Sequence, residues 1–385
     1  MDLSYSAEQL ALQESVTRFL TDRYSHDVRR RIQASADGFG RDIWRAFAEL
    51  GWLGLPFAGT DGGLDGGMVD IALMSEAFGA ALVAEPYLST VVLCGGLIAA
   101  SGSAEQRAAL IPDIIAGSLL LAFAHHEPEN RHGYGIISTR AARSGDEWHL
   151  DGRKGIVLDA PMADQILITA RVSKDNAAAP LGLFLIPKGA PGMVITDYPI
   201  VDGRLAANIV LDGVRVAASA RIGGHADQAP AIEAATDRAA AMLAADAIGA
   251  MQMLLDRTLD HTKTRVQFGQ PLAANQVVKH RMVDMAVRIE EARSITLNAA
   301  IRIDDGSTAA IRGRAASGAK VKVAAAARFV AEQAVQLHGA MGVTDELDIG
   351  AYFKRIMAFE ASYGTPAWHL KRYAALRDAA TAAAA

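Results

Sequence analysis

The chain has 385 residues, 51% of them hydrophobic, which exceeds one small core and suits two or three packed regions in one body. Its 38 basic and 43 acidic side chains are interspersed and give a formal net charge of −5, so neither nucleic acid nor a membrane surface is expected as a partner. A single cysteine, Cys94, excludes a disulfide framework or a cysteine-based zinc site within one chain and suits a reducing cytosol.

The first residues, Met1-Asp2-Leu3-Ser4, lack a basic segment followed by an apolar one, so no signal peptide is read. Ser6-Ala-Glu-Gln9 has capping-box spacing, and the same four letters recur at Ser103–Gln106. Leu10, Leu12, Val16, Phe19 and Leu20 then follow at mostly three- and four-residue steps, as one buried helix face requires. Trp44, Phe47 and Leu50 before Gly51 read as another helix with a glycine cap. The run from Asp61 to Gly67 is a turn-rich loop. The longest apolar candidate for a membrane span, Ile111 to Ala124, is broken by Pro112, Asp113 and Gly117, so a cytoplasmic protein is expected.

Between 118 and about 225 the pattern changes. Short β-rich runs such as DQILITARV, LGLFLIPKG and NIVLDGVRV recur about every ten residues, bounded by Asp-Gly, Pro and charged turns. Consecutive short strands argue for an antiparallel sheet rather than strand-helix-strand units. From about 226 onward helical periodicity returns on an alanine-rich background. Leu243, Ala247, Met251, Leu254 and Leu259 form one stripe, and Val278, Met282, Met285 and Ile289 another. Long antiparallel helices with short loops make a bundle, and the closing ATAAAA reads as a fraying tail. The expected class is α+β, with a helical domain over 1–117, a β domain over 118–225 and a four-helix bundle over 226–385.

Three stretches carry chemistry. Arg265-Val-Gln-Phe-Gly-Gln-Pro271, with Gln276 beyond it, sets a planar cation beside an aromatic ring and a glycine, a combination suited to phosphate and to stacking; an ordinary helix-loop-helix corner is the alternative. Gln336-Leu-His-Gly-Ala-Met-Gly342 ends a helix with two glycines that admit a close ligand or simply cap it. LAFAHHEPENRHG, residues 121–133, pairs His125 with His126 near one carboxylate; pocket lining suits it better than a metal, and no metal is assigned.

Together these stretches resemble the acyl-CoA dehydrogenase family over nearly the whole chain. The family's R-x-x-F-G-x-P then Q appears as Arg265, Phe268, Gly269, Pro271 and Gln276. Its Q-x-x-G-G-x-G appears as Gln336, Gly339, Ala340 and Gly342, with alanine for one glycine. Its glycine-rich loop is echoed by Gly62-Gly63-Leu64, its T-E-P turn by His126-Glu127-Pro128, and its G-x-K by Gly152-Arg153-Lys154. Among members, the chain is similar to the small subunits of pimeloyl-CoA-type dehydrogenases, which pair with a large subunit.

The resemblance implies FAD, an acyl-CoA substrate, an electron-transfer flavoprotein as acceptor, and a dimer or tetramer of one or two kinds of chain. In that chemistry a carboxylate takes the proton α to the thioester while hydride leaves Cβ for the flavin, and fixed donors must polarise the carbonyl. By analogy Arg265, Phe268 and Gln276 hold the adenine-side half of FAD, on a molecule that a neighbouring subunit can share. Gln336, Gly339 and Ala340 meet its phosphates or adenosine. Phe123, His125, His126, Ile156 and Leu158 occupy the stretches that meet the isoalloxazine and ribityl chain, and Thr365 also contacts flavin.

The family's usual base, the glutamate of Y-E-G-T, is replaced: Tyr363-Gly364-Thr365 puts glycine in its place. Glu360 precedes Gly364 by about one helical turn and would point elsewhere. An alternative family position on the first bundle helix is Ala239, leaving Asp237 and Asp246 as candidate bases. Asp246 lies on an apolar face, where it either carries a raised pKa or ties to an arginine; Asp237 could be solvated beside Arg238. The segments GIVLD and ENRHG also depart from the pattern at the flavin and substrate walls. Two functions stay open: an acyl-CoA dehydrogenase with a relocated base, or a non-catalytic subunit that completes the site of a homologous chain. An acyl-CoA oxidase differs mainly in oxygen access.

Overall fold

The computed structural model describes residues 4–129, 136–173, 176, 178–267, 269–344 and 346–384, with side chains through 378. Six helices come first: α1 (Ala7–Arg23), α2 (His26–Gln33), α3 (Arg41–Glu49), α4 (Met68–Ala81), α5 (Gly96–Ser101) and α6 (Ala104–Ile115). Eight strands follow: β1 (Leu121–Ala124), β2 (Arg140–Ser144), β3 (Glu147–Leu158), β4 (Gln165–Arg171), β5 (Leu181–Pro187), β6 (Met193–Pro199), β7 (Leu205–Ala217) and β8 (Arg221–Ile222). The last part holds α7 (Ala229–Thr264), the two-residue strands β9 (Val266–Gln267) and β10 (Gln270–Pro271), then α8 (Gln276–Asp304), α9 (Ala309–His338), α10 (Ile349–Ala361) and α11 (Pro366–Ala384). The order helices, sheet, helix bundle is the one the sequence pattern implies.

By packing, the chain divides into two compact units. One gathers 32–66 and 84–239, and the other gathers 1–31, 67–83 and 240–385; the boundary falls inside α7. In the first unit, strands run in the order β6-β7-β3-β2-β4-β5-β8, with β1 added beside β4. Alternating residues on β3, β4, β5 and β7 point into one apolar cluster that includes Trp148, Leu150, Ile166, Ile168, Phe184 and Ile209. Full burial of each such side chain contributes about 1.5–3 kcal/mol. The sheet corrects one expectation. β1 and β4 pair in parallel from Leu121 opposite Gln165 to Ala124 opposite Ile168. The β2–β3 hairpin lies between them in sequence, so the chain has room to return in the same direction.

Both predicted capping boxes form, the one at Ser6 in the second unit and the one at Ser103 in the first. At Ser6 and at Ser103 the hydroxyl accepts from the backbone N–H three residues on, while the glutamine there accepts from the cap N–H. On α9, buried Ala316, Ala319, Val323, Ala327, Val330 and Ala334 form a narrow stripe that lets neighbouring helices close in. The tightest approach is between α4 and α7. A Cβ added at Gly79 would stand 1.8 Å from the Asp246 carbonyl oxygen, and one added at Gly249 would stand 1.8 Å from the Glu76 carbonyl oxygen. The two helices therefore meet backbone to backbone, and only glycine fits. A further correction concerns α7. One 18-residue window of it is long and apolar enough to cross a membrane, although no such run is expected from the sequence reading. Its alanines raise hydropathy without bulk, and 83% of that window is buried in the protein.

Candidate functional site

In the sheet-containing unit, the candidate residues from the sequence sit where β1 ends beside β3. Glu127 follows β1 and is buried with Lys154 of β3; Nζ donates to Oε1 at 2.7 Å. Lys154 also donates to Thr169 Oγ1 at 3.1 Å, an oxygen that His125 Nδ1 shares at the same distance. Glu127 further accepts from the backbone N–H groups of Ser138 (2.6 Å) and Thr139 (3.0 Å) and from the Thr139 hydroxyl. Burial pulls the Lys154 ammonium down to about 8, against the attraction of Glu127. Burial alone would push Glu127 up, yet Lys154 and the donors around it outweigh that and leave it lowered. This network was missed in the sequence because its partners lie 27 residues apart, although both motifs are visible there.

The ion pair fixes the turn that carries His125 and His126. Phe123 and His125 stack with ring centroids 5.6 Å apart, and the Gly155 N–H donates to the His126 carbonyl at 3.0 Å. Next to that bond β3 shifts register between Lys154 and Val157, and Ile156 sits at φ 51, an outlier for a β-branched residue. The bulge turns the Ile156 side chain out, leaving it 56% exposed, while Leu158 is buried. Phe123, His125, His126, Ile156 and Leu158 are thus gathered at one end of the sheet. Asp237 belongs to the same unit and is buried rather than solvated, at 1% exposure.

In the bundle-containing unit, two predicted corners come together. α7 ends at Thr264 and α9 at His338, and the rings of His261 and His338 stack at 4.3 Å. Burial, then the nearby His338 and Arg265, pull the pKa of His261 down. Arg265 is exposed and, among the described residues, its guanidinium makes no ion pair. Gln276 opens α8 and is exposed; Gln336, Gly339 and Ala340 are exposed at the end of α9. Phe268 lies outside the described residues. Gly269 and Gly339 have φ of 80 and 61, and a Cβ built on either would meet nothing within 4 Å. A free guanidinium, two primary amides and two open glycine corners fit the pyrophosphate and sugar of a dinucleotide.

Thr365 caps the last helix, its hydroxyl accepting from the Trp368 N–H at 3.3 Å, which leaves its own proton to donate. Gly364 before it is buried with φ 105, and a Cβ there would stand 2.8 Å from both His369 Nε2 and Trp368 Cε3. Glu360 turns away and pairs with Arg328 of α9. Asp246 is gripped by both arms of Arg355, Nε to Oδ1 at 2.9 Å and Nη2 to Oδ2 at 2.7 Å. Arg355 also reaches the Val83 carbonyl at 3.3 Å, so the acid takes part in a buried structural tie. A cavity of about 310 Å³ among α1, α4, α7 and α10, lined by Leu20, Tyr24, Met253, Arg257 and Tyr352, contains none of the sequence-predicted residues.

Comparisons with known proteins bear on these features. The N-terminal, middle and C-terminal domains of acyl-CoA dehydrogenase match residues 6–118, 122–214 and 229–375. Acyl-CoA dehydrogenase FadE12 of Mycobacterium tuberculosis is 29% identical over 356 residues, covering 90% of this chain and 89% of that one. Among solved structures, a variant of the Tcur3481-Tcur3483 steroid ACAD superposes with a TM-score of 0.87 at 28% identity, covering 97% of this chain and 99% of the other. The FAD complex of PigA superposes at 0.89 with 25% identity, covering 98% and 100%. With all three domains matched in order and the motif residues placed as described, the chain belongs to the acyl-CoA dehydrogenase family.

Proposed function

We propose that the chain is an FAD-dependent dehydrogenase that forms a Cα–Cβ double bond in an acyl-CoA thioester. The observation that carries this reading is the Arg265 corner, where an exposed guanidinium that makes no ion pair among the described residues shares one end of the bundle with two glycine openings. Arg265, Gln276, Gln336 and the Gly339 backbone would hold the dinucleotide end, on a molecule that a neighbouring subunit can share. By the same resemblance Phe123, His125, His126 and the bulged Ile156 of the sheet-containing unit would face a flavin's ring and ribityl part, and Thr365 of the bundle-containing unit is, taken by itself, a flavin contact through its hydroxyl proton. When bound, FAD takes up the hydride that leaves Cβ as a base removes the α-proton. Of the two acids the resemblance leaves as candidates, we assign Asp237, buried at 1% exposure, as that base. An electron-transfer flavoprotein is the acceptor the resemblance implies.

A second reading, favoured by Gly364, is that this chain completes the site of a homologous partner that supplies the base. A carboxylate at 364 would need both a φ of 105 and space already filled by His369 and Trp368. The solved relative named for two proteins, Tcur3481-Tcur3483, supports such pairing. Purification decides. Yellow protein that bleaches with an acyl-CoA, and no longer does so as Asp237→Asn, fits the first reading. Protein that bleaches only with a second chain fits the partner reading. Arg265→Ala should strip most of the flavin; unchanged flavin content would refute the assignment of that corner.

A further inference from the structure

Lys320 lies on the apolar stripe of α9, four residues after Ala316 and three before Val323, and is fully buried. Among the described residues no carboxylate is bonded to it. Its Nζ donates to the carbonyls of Phe359 and, at 2.7 Å, Ser362, and it stands 4.0 Å over the Phe359 ring. The Phe359 carbonyl lies in the last turn of α10, where it also accepts from the Ser362 N–H at 3.2 Å, and Ser362 is the cap residue just beyond; the end of a helix carries a partial negative charge. Beyond them the chain reverses through Tyr363 at φ 51 and Gly364 at φ 105 into Thr365. From the other side, His369 Nε2 donates to the Tyr363 carbonyl at 3.0 Å, and its Nδ1 meets Ser317 Oγ at 3.1 Å. A carbonyl can only accept, so the proton sits on Nε2.

We propose that Lys320 is a positioning residue: from α9 it holds the end of α10 so that Ser362–Thr365 leaves in one direction and presents Thr365 to the cofactor. The cofactor part of this inference rests on the flavin reading above. Two residues in left-handed conformations in sequence would otherwise have several ways out of the helix; the amine ties the last turn of α10 to Ser362, the residue that enters the reversal, and His369 holds the Tyr363 carbonyl from the far side. The charged groups around it are compatible with the role. Glu360 on α10 is turned to Arg328, Arg372 on α11 reaches Ser317, and burial pulls the pKa of His369 down to about 3, so its ring is neutral. Glu360 attracts the Lys320 ammonium from a distance, but its carboxylate is bonded to Arg328 and the amine stays on the carbonyls.

The test compares wild-type protein with Lys320→Met by amide hydrogen exchange and FAD titration. Exchange over 359–369 should rise by about tenfold or more while α8 is unchanged, and FAD affinity should fall by about tenfold. Exchange that rises evenly across the chain would reduce Lys320 to a general packing residue and overturn the proposal. A local rise with unchanged FAD affinity would overturn it too. Should the variant not fold, the wild-type protein decides: FAD should slow exchange of 359–369 by about tenfold, and no slowing sinks the idea. If wild-type protein takes up no FAD, the flavin reading falls, and the exchange comparison alone judges the latch.

Discussion

Two lysines are buried to the same degree, one in each unit, and they are handled differently. Lys154 meets a carboxylate at 2.7 Å and a threonine hydroxyl. Lys320 meets only backbone carbonyls and an aromatic face. Desolvation dominates both, pulling Lys154 down to about 8 and Lys320 to about 7. An adjacent carboxylate offsets part of the loss, whereas carbonyl dipoles offset less. The sheet-side site is therefore built around an ion pair that must stay whole, and the bundle-side segment around a donor whose charge is dispensable.

Breaking the pair should have the largest effect. Glu127→Ala leaves an ammonium buried without its counter-charge and should destabilise the protein by about 3–5 kcal/mol in denaturant titration. Removing both charges together, as Glu127→Leu with Lys154→Met, should recover much of that loss, because the cost lies in the orphaned charge. A double variant as unstable as the single one would show that the hydrogen bonds from Ser138 and Thr139 matter more than the charge. Lys320→Met, which takes a donor from the Ser362 carbonyl, leaves Phe359 only the Ser362 N–H and buries no new charge, should cost about 1–3 kcal/mol, clearly less than Glu127→Ala. Equal losses would erase the contrast between the two sites.

The contrast can also be read in pH dependence. Both lysines have folded pKa values below their unfolded one, so the unfolded chain binds more protons between the two. Stability should therefore rise with pH from about 7 toward 10, at up to about 1.4 kcal/mol per pH unit for each lysine, and be lost as pH falls through the folded values. Stability measured from pH 6.5 to 9.5 should show this slope, flatter in Lys320→Met. A slope unchanged by that substitution would refute the assignment.

What was legible in the sequence was local. The caps at Ser6 and Ser103 bond within three residues, so four letters suffice to specify them. The strands were readable from alternation, and the bundle from its stripes. Pairing was not: nothing local in LAFA says that it joins β4 in parallel. The Arg265 and Gln336 stretches were visible as motifs, but their meeting through His261 and His338 depends on how three helices return. Asp246 showed both of its possible fates in its apolar setting, and only Arg355, 109 residues away, selected one. Lys320 was detectable in principle as a cation on a buried stripe, though its acceptors were not.

The mutual notch of Gly79 and Gly249 has one more consequence. At this notch backbone lies against backbone, with no side chain of Gly79 or Gly249 between to relax, so the joint behaves there as a hard bearing rather than a cushion. Any tilt of α4 must be followed by α7 at once. The Asp246–Arg355 fork, set in the same few residues, is thereby anchored to a part of the molecule that cannot give.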